Sequence, residues 1–236
     1  MKKSLSLSVA AVAIATASSA YAENLYAIQG DTLYRASADD GSWQALSATW
    51  SGAELITELG GRLFAIQGDT LYGVNPADGA WTGLSNTWQG ANALTAGGGA
   101  LYGAQNGVVY RVDPATGAWA PIPGNYVGTQ FLAWCGSSLM VIQNDVLYRV
   151  NPDNGEYAQL PSTYAGTTAV DAEGDTMFVV QGDTLYKVTC STGEYTSLGG
   201  GYTGTTELAI ANGHVYVVWQ GALWKVNPAT RRRQIG

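Results

Sequence analysis

Five glutamines, Gln29, Gln67, Gln105, Gln143 and Gln181, recur at intervals of 38 residues. Five aromatic residues, Trp50, Trp88, Tyr126, Tyr164 and Tyr202, recur at the same interval. Most of the glutamines lie close to a turn carboxylate, as with Asp31, Asp69, Asp145 and Asp183. Ring faces stack on the apolar faces of sugars, and amides and carboxylates hydrogen-bond hydroxyls, so such a set suits glycan binding. The same residues have a plainer use: each ring pins a connecting segment to the core and each glutamine satisfies backbone groups. A third series, Trp43, Trp81, Trp119, Tyr157 and Tyr195, occupies another place in the interval. Its rings are expected to pack between neighbouring units.

The remaining reactive side chains assemble into little. His214 is the one histidine in the chain. No Ser-His-Asp or Cys-His set is built around it, and no group of imidazoles or thiols has metal-ligand spacing. No catalytic residue, metal site or cofactor is therefore expected. Glu54 and Glu58 share a strand, and Asp171, Glu173 and Glu207 fall on or near others. Glycoside hydrolysis needs two carboxyl groups ~5–9.5 Å apart, and residues four apart on a strand are separated by about 13 Å. A working pair would have to come from different units. Asp171-Ala172-Glu173-Gly174-Asp175 alternates oxygen ligands but departs from the EF-hand pattern and reads as a solvated turn. Cys135 and Cys190 fall at positions 35 and 14 of the repeat. That mismatch predicts two free, buried thiols rather than a bridge, since a disulfide needs Cα atoms within ~7 Å.

The elements that must position these residues follow from the repeat. Leu25-Tyr26-Ala27-Ile28-Gln29-Gly30-Asp31-Thr32-Leu33-Tyr34 returns as Leu63-Phe64-Ala65-Ile66-Gln67-Gly68-Asp69-Thr70-Leu71-Tyr72, and looser copies start at Leu101, Leu139, Met177 and Val215. In the copy from Leu63 to Ala100, Gly68-Asp69 is a hairpin turn and Pro76-Ala77-Asp78-Gly79 a second turn. Strands are predicted over 63–67, 70–75, 80–84 and 91–95. The hairpin pairs Ile66 with Leu71, Ala65 with Tyr72 and Leu63 with Val74, which places apolar residues on both faces, as in a sheet covered on both sides. Four short strands in roughly 40 residues make one propeller blade. The long polar segment 85–90 must cross from the outer edge of one blade to the inner edge of the next. The expected fold is a six-bladed β-propeller in which one blade lacks its inner strand, with five blades as the alternative, because the first copy starts directly after the leader.

Lys2 and Lys3, an apolar run from Leu5 to about Ala17, and Ala20-Tyr21-Ala22 have the order of a signal peptide. Residues 1–22 are read as that leader and 23–236 as a single propeller domain, secreted or periplasmic. Losing Lys2 and Lys3 would take the formal charge of −7 to −9. An acidic chain gives no support to binding nucleic acid or anionic membranes, and the short basic run Arg231-Arg232-Arg233 reads as a solvated tail. After the leader no stretch approaches the ~20 apolar residues of a membrane-spanning helix.

The motif Asn75-Pro76-Ala77-Asp78-Gly79-Ala80-Trp81, preceded by Leu71-Tyr72, resembles the Kelch-type propeller repeat. Related forms run from Asp113-Pro114 to Trp119 and from Asn151-Pro152 to Tyr157. The resemblance covers nearly all of the chain after the leader. It departs where Kelch blades carry paired glycines and this chain has Gln67-Gly68, and its blades are shorter. Tachylectin-type and quinoprotein repeats share similar Leu-Tyr phrases. The resemblance implies a binding platform more often than an enzyme. The leading expectation is a non-enzymatic binding propeller presenting repeated ring and amide sites to a glycan or protein. A carboxylate-dependent polysaccharide hydrolase or lyase, and an assembly scaffold, are the alternatives.

Overall fold

The computed structural model describes residues 12–17, 24–230 and 232–235. It contains six four-stranded antiparallel sheets arranged as the blades of a propeller. Blade 1 is β1 (Val12–Ala17), β2 (Asn24–Gln29), β3 (Thr32–Ser37) and β4 (Trp43–Ser47); blade 2 is β5 (Ala53–Leu59), β6 (Arg62–Gln67), β7 (Thr70–Val74) and β8 (Trp81–Ser85). Blade 3 is β9 (Ala91–Gly97), β10 (Ala100–Gln105), β11 (Val108–Val112) and β12 (Trp119–Pro121); blade 4 is β13 (Thr129–Cys135), β14 (Ser138–Gln143), β15 (Val146–Val150) and β16 (Tyr157–Gln159). Blade 5 is β17 (Thr167–Glu173), β18 (Thr176–Gln181), β19 (Thr184–Thr189) and β20 (Tyr195–Gly200); blade 6 is β21 (Thr205–Ala211), β22 (His214–Trp219), β23 (Ala222–Asn227) and β24 (Arg232–Ile235). The hairpin register read from the sequence is the one formed, with Ile66 opposite Leu71, Ala65 opposite Tyr72 and Leu63 opposite Val74.

The core lies in the seams between blades. In β6 and β14, four consecutive residues are buried, as expected of sheets covered on both faces. Leu25, Leu63, Leu101, Leu139, Met177 and Val215 hold one repeat position and are all buried, a contribution of roughly 1.5–3 kcal/mol for each side chain removed from water. Each seam has its own cluster. Trp50, Leu33 and Leu63 join blades 1 and 2, while Leu25, Ala36, Ala209 and Tyr216 join blades 6 and 1. At that closing seam the Tyr216 hydroxyl and the Lys225 ammonium both donate to the Ala38 carbonyl, at 2.9 and 3.0 Å.

The expectation of a blade without an inner strand is corrected. β1, taken from the stretch read as leader, pairs with β2 and fills that position. It does so outside the repeat. Ala17 faces Asn24, whereas the equivalent of Asn24 in blade 2, Arg62, faces Leu59; the register is displaced by four residues. β1 also lacks the bulge present in the ladder between the inner strand and its neighbour in each of blades 2 to 6. Sequence periodicity missed β1 for that reason. The other leader residues and the Ala22 cleavage position lie outside the described residues.

The two cysteines are also corrected. Cys135 and Cys190 form a disulfide with Cα atoms 6.3 Å apart. Cys135 ends the inner strand of blade 4, and Cys190 begins the turn between the third and fourth strands of blade 5. Those two points of the repeat lie on the same rim of adjacent blades, so unlike repeat positions meet across a seam where like positions do not.

Candidate functional site

The crossover rings are buried. Trp50, Trp88, Tyr126, Tyr164 and Tyr202 all lie in the core. Each follows an outer strand and packs under the next blade. Trp50 meets Tyr72 edge-on at 5.7 Å, and Trp88 meets Tyr110 at 5.9 Å. Their indole nitrogens donate to Ser47 and Ser85 hydroxyls, each at 2.9 Å. Gly103 is required beneath Trp88, since a Cβ there would stand 2.6 Å from the indole. The glutamines tie the same segment down. Gln67 Nε2 donates to the carbonyls of Thr49 and Ser51, and Gln105 to those of Thr87 and Gln89. Gln143 donates to Asn125 and Val127, and Gln181 to Thr163 and Ala165. In the sixth copy Trp219 takes the glutamine's place and its indole donates to Thr203. The crossover expected to face Gln29 falls partly outside the described residues. A buried ring offers no face to a sugar, and the amide donors of Gln67, Gln105, Gln143 and Gln181 are spent on backbone.

Four of the five outer rings are exposed. Trp81, Trp119, Tyr157 and Tyr195 are 50, 45, 69 and 55% exposed, and Val127 is the only other large exposed hydrophobic residue among those described. The expectation that these rings pack between blades is therefore corrected for those four, while Trp43 is partly buried and packs against the seam of blades 6 and 1. An outermost strand has no further strand beside it, and β12 and β16 are exposed along their length. Each ring is braced edge-on by a tyrosine of the adjoining strand. The pairs are Tyr34–Trp43 at 6.0 Å, Tyr72–Trp81 at 5.2 Å, Tyr110–Trp119 at 5.1 Å, Tyr148–Tyr157 and Tyr186–Tyr195 both at 5.7 Å. Such pairs add about 0.5–1.5 kcal/mol and fix the ring's pose. The result is a girdle of pre-set, exposed aromatic side chains, one to a blade, around blades 2 to 5.

The inner strands enclose a channel. Its cavity, about 490 Å³, is lined by blades 2 to 6 and includes Glu54, Glu58, Asp171 and Glu207, with no lysine or arginine among the described lining residues. Burial in the channel wall pushes Glu207 up to about 8. Burial likewise pushes Asp171 up to about 7, although the backbone N–H groups of Ala172 and Ile210 donate to it and oppose the rise. The Ile210 bond also staples blade 5 to blade 6. Burial raises Glu58 against a bond from the Gly61 N–H. Asp175, the last member of the D-x-E-x-D run, accepts from the Ser191 amide and hydroxyl and so caps a turn. His214 opens β22 and its Nδ1 lies 2.8 Å from the Asn212 carbonyl. The only cluster of three metal-ligand side chains among the described residues is Cys135, Asp175 and Cys190, and its two sulfurs are bonded to one another. Among the described residues no helix is long and apolar enough to cross a membrane.

No protein-family model matches the chain. No curated protein matches it either. Solved structures do. A chain of a nidogen/laminin complex superposes with a TM-score of 0.67 at 14% identity, covering 78% of this chain and 78% of that one. PorZ, a bacterial surface component of the type-IX secretion system of Porphyromonas gingivalis, superposes with a TM-score of 0.65 at 11% identity; the match covers 98% of this chain and 38% of PorZ. At such identities the likeness is one of fold, and the fold shared is the β-propeller.

Proposed function

We propose that this protein is an exported, non-enzymatic binding propeller that engages glycans through the aromatic girdle. One observation carries the reading. Four of the five large exposed hydrophobic side chains among the described residues hold a single repeat position, and each ring is braced by a neighbouring tyrosine. Exposed, oriented rings suit stacking on sugars. Each belongs to a different blade, so a polymer of repeated sugars meets several at once, and weak contacts sum to useful avidity. A protein partner would instead bury about 800 Å² on each side of one continuous patch. The apolar leader and the inter-blade disulfide support a secreted or periplasmic setting.

The test is a glycan array probed with the purified protein and with Trp81→Ala, each checked for folding by circular dichroism. Binding that weakens in the variant supports the reading, and a folded protein that binds no glycan removes it. A protein partner is the second reading, favoured by structural neighbours drawn from a nidogen/laminin complex and a bacterial surface component. Pull-down of a defined partner, lost in the same variant, would carry that version. A hydrolase or lyase working in the channel draws on the raised Glu207 and Asp171. It requires polysaccharide turnover that vanishes in Glu207→Gln.

A further inference from the structure

Blade 5 carries a second candidate site. A cleft of about 370 Å³ opens where the crossover residues Ser162, Thr163 and Tyr164 meet Gln181, Tyr186 and Tyr195. In blades 2 and 3 the corresponding contact is made by the larger indoles of Trp50 and Trp88, which reach Tyr72 and Tyr110. Tyr164 is smaller. Its hydroxyl is buried and has no hydrogen-bond partner. The equivalent hydroxyl of Tyr126 donates to the Pro123 carbonyl at 3.1 Å. Pro161 stands where Pro123 does, but the next residue differs: Ser162 holds φ of 84° and Gly124 holds 142°. A serine in the left-handed region is strained. The cleft lining therefore combines a strained segment with an unsatisfied phenol.

We propose that this cleft binds one hexopyranose ring, with the sugar's apolar face on Tyr195 and one of its hydroxyls paired with the Tyr164 hydroxyl. The volume is at the small end for ligand sites. The lining joins crossover hydroxyls and the Gln181 amide to ring and valine surface from the strands, and these match the two kinds of surface on a sugar. Under this proposal the Ser162 segment shifts to let the sugar reach the buried phenol. The bond then formed satisfies a donor that the unliganded fold leaves idle, and a bond of this kind is worth up to about tenfold in affinity. The inference rests on the girdle reading, because Tyr195 belongs to both sites.

The experiment is an NMR titration of the full-length protein with methyl glycosides of glucose, galactose and mannose, followed for the parent chain, Tyr164→Phe, Tyr195→Ala and Trp81→Ala. One hexoside should bind at one site per chain. Tyr195→Ala should weaken binding at least about tenfold through loss of the stacked ring. Tyr164→Phe should weaken it up to about tenfold while melting no earlier than the parent, because the variant removes an unsatisfied buried hydroxyl. Trp81→Ala separates the two readings, since Trp81 belongs to the girdle and not to the cleft lining. Failure of every hexoside to bind, or parental affinity in Tyr164→Phe, overturns the cleft. Binding at several equivalent sites, with Trp81→Ala as damaging as Tyr195→Ala, overturns the cleft and leaves the girdle standing. Loss of array binding by the girdle variants without any hexoside site has the same meaning.

Discussion

The bridge between Cys135 and Cys190 closes a loop of 55 residues across the seam of blades 4 and 5. Cross-linking a loop of that length removes about 14 cal/mol/K of unfolded-chain entropy, or about 4 kcal/mol at 25 °C. Reduction is the cleanest perturbation. It restores two thiols of almost unchanged volume among Met140, Met177 and Val179, so it opens no cavity. In a chain of this size 4 kcal/mol corresponds to a melting shift of roughly 8–16 °C. Urea and thermal unfolding should be followed with and without reductant, and thiols counted in the native and denatured protein. The oxidised protein should show no reactive thiol even when denatured, and the reduced protein should unfold earlier by the stated amount. Two free thiols in denatured, unreduced protein would refute the seam geometry. Coincident unfolding curves would refute the entropic argument while leaving the geometry intact.

Glu207 and Asp171 hold protons that the unfolded chain gives up from about pH 4 upward. Their contribution therefore falls as pH rises from about 4 to 8 and is flat beyond; Glu207→Gln should remove much of that decline in unfolding measured across the range. Asp183 acts in the opposite direction. Bonds from the Thr203 hydroxyl and the Gly201 and Thr203 amides hold it at about 2, so its contribution is lost as pH falls from about 4 to 2 and Asp183→Asn should lose that acid limb. Trp88→Ala, which empties the seam over Gly103, should cost about 3–5 kcal/mol in urea unfolding; an unchanged midpoint would mean that the ring is not core. Protein exported by a host that processes leaders should begin at Glu23 by amino-terminal sequencing and should melt below the uncleaved chain, having lost the six backbone pairs between β1 and β2. Equal melting would show that β1 adds nothing to the ring.

The exposure of each aromatic series was the point at which sequence reasoning reached its limit. Trp88 and Trp81 both hold positions that recur every 38 residues, and each follows a turn or a polar link. Nothing in spacing separates a ring folded under the next blade from one left on the rim. Alternation along a strand assigns side chains to two faces, but in a propeller both faces of the inner strands are covered and only the outermost strand is left open. Which of the two series meets solvent therefore depends on where each strand ends up in the blade. The glutamine amides follow the same logic, because their acceptors lie 16 and 18 residues earlier in a crossover whose path is set by ring closure.

The chain alone favoured six blades over five and placed the repeated strands and the hairpin register, because these depend on local turn chemistry and on a repeat that never slips. Only the closed ring decided the disulfide, the inner strand of blade 1 and the accessible aromatics. Those features arise where one blade meets another, at distances in sequence that the 38-residue period does not encode.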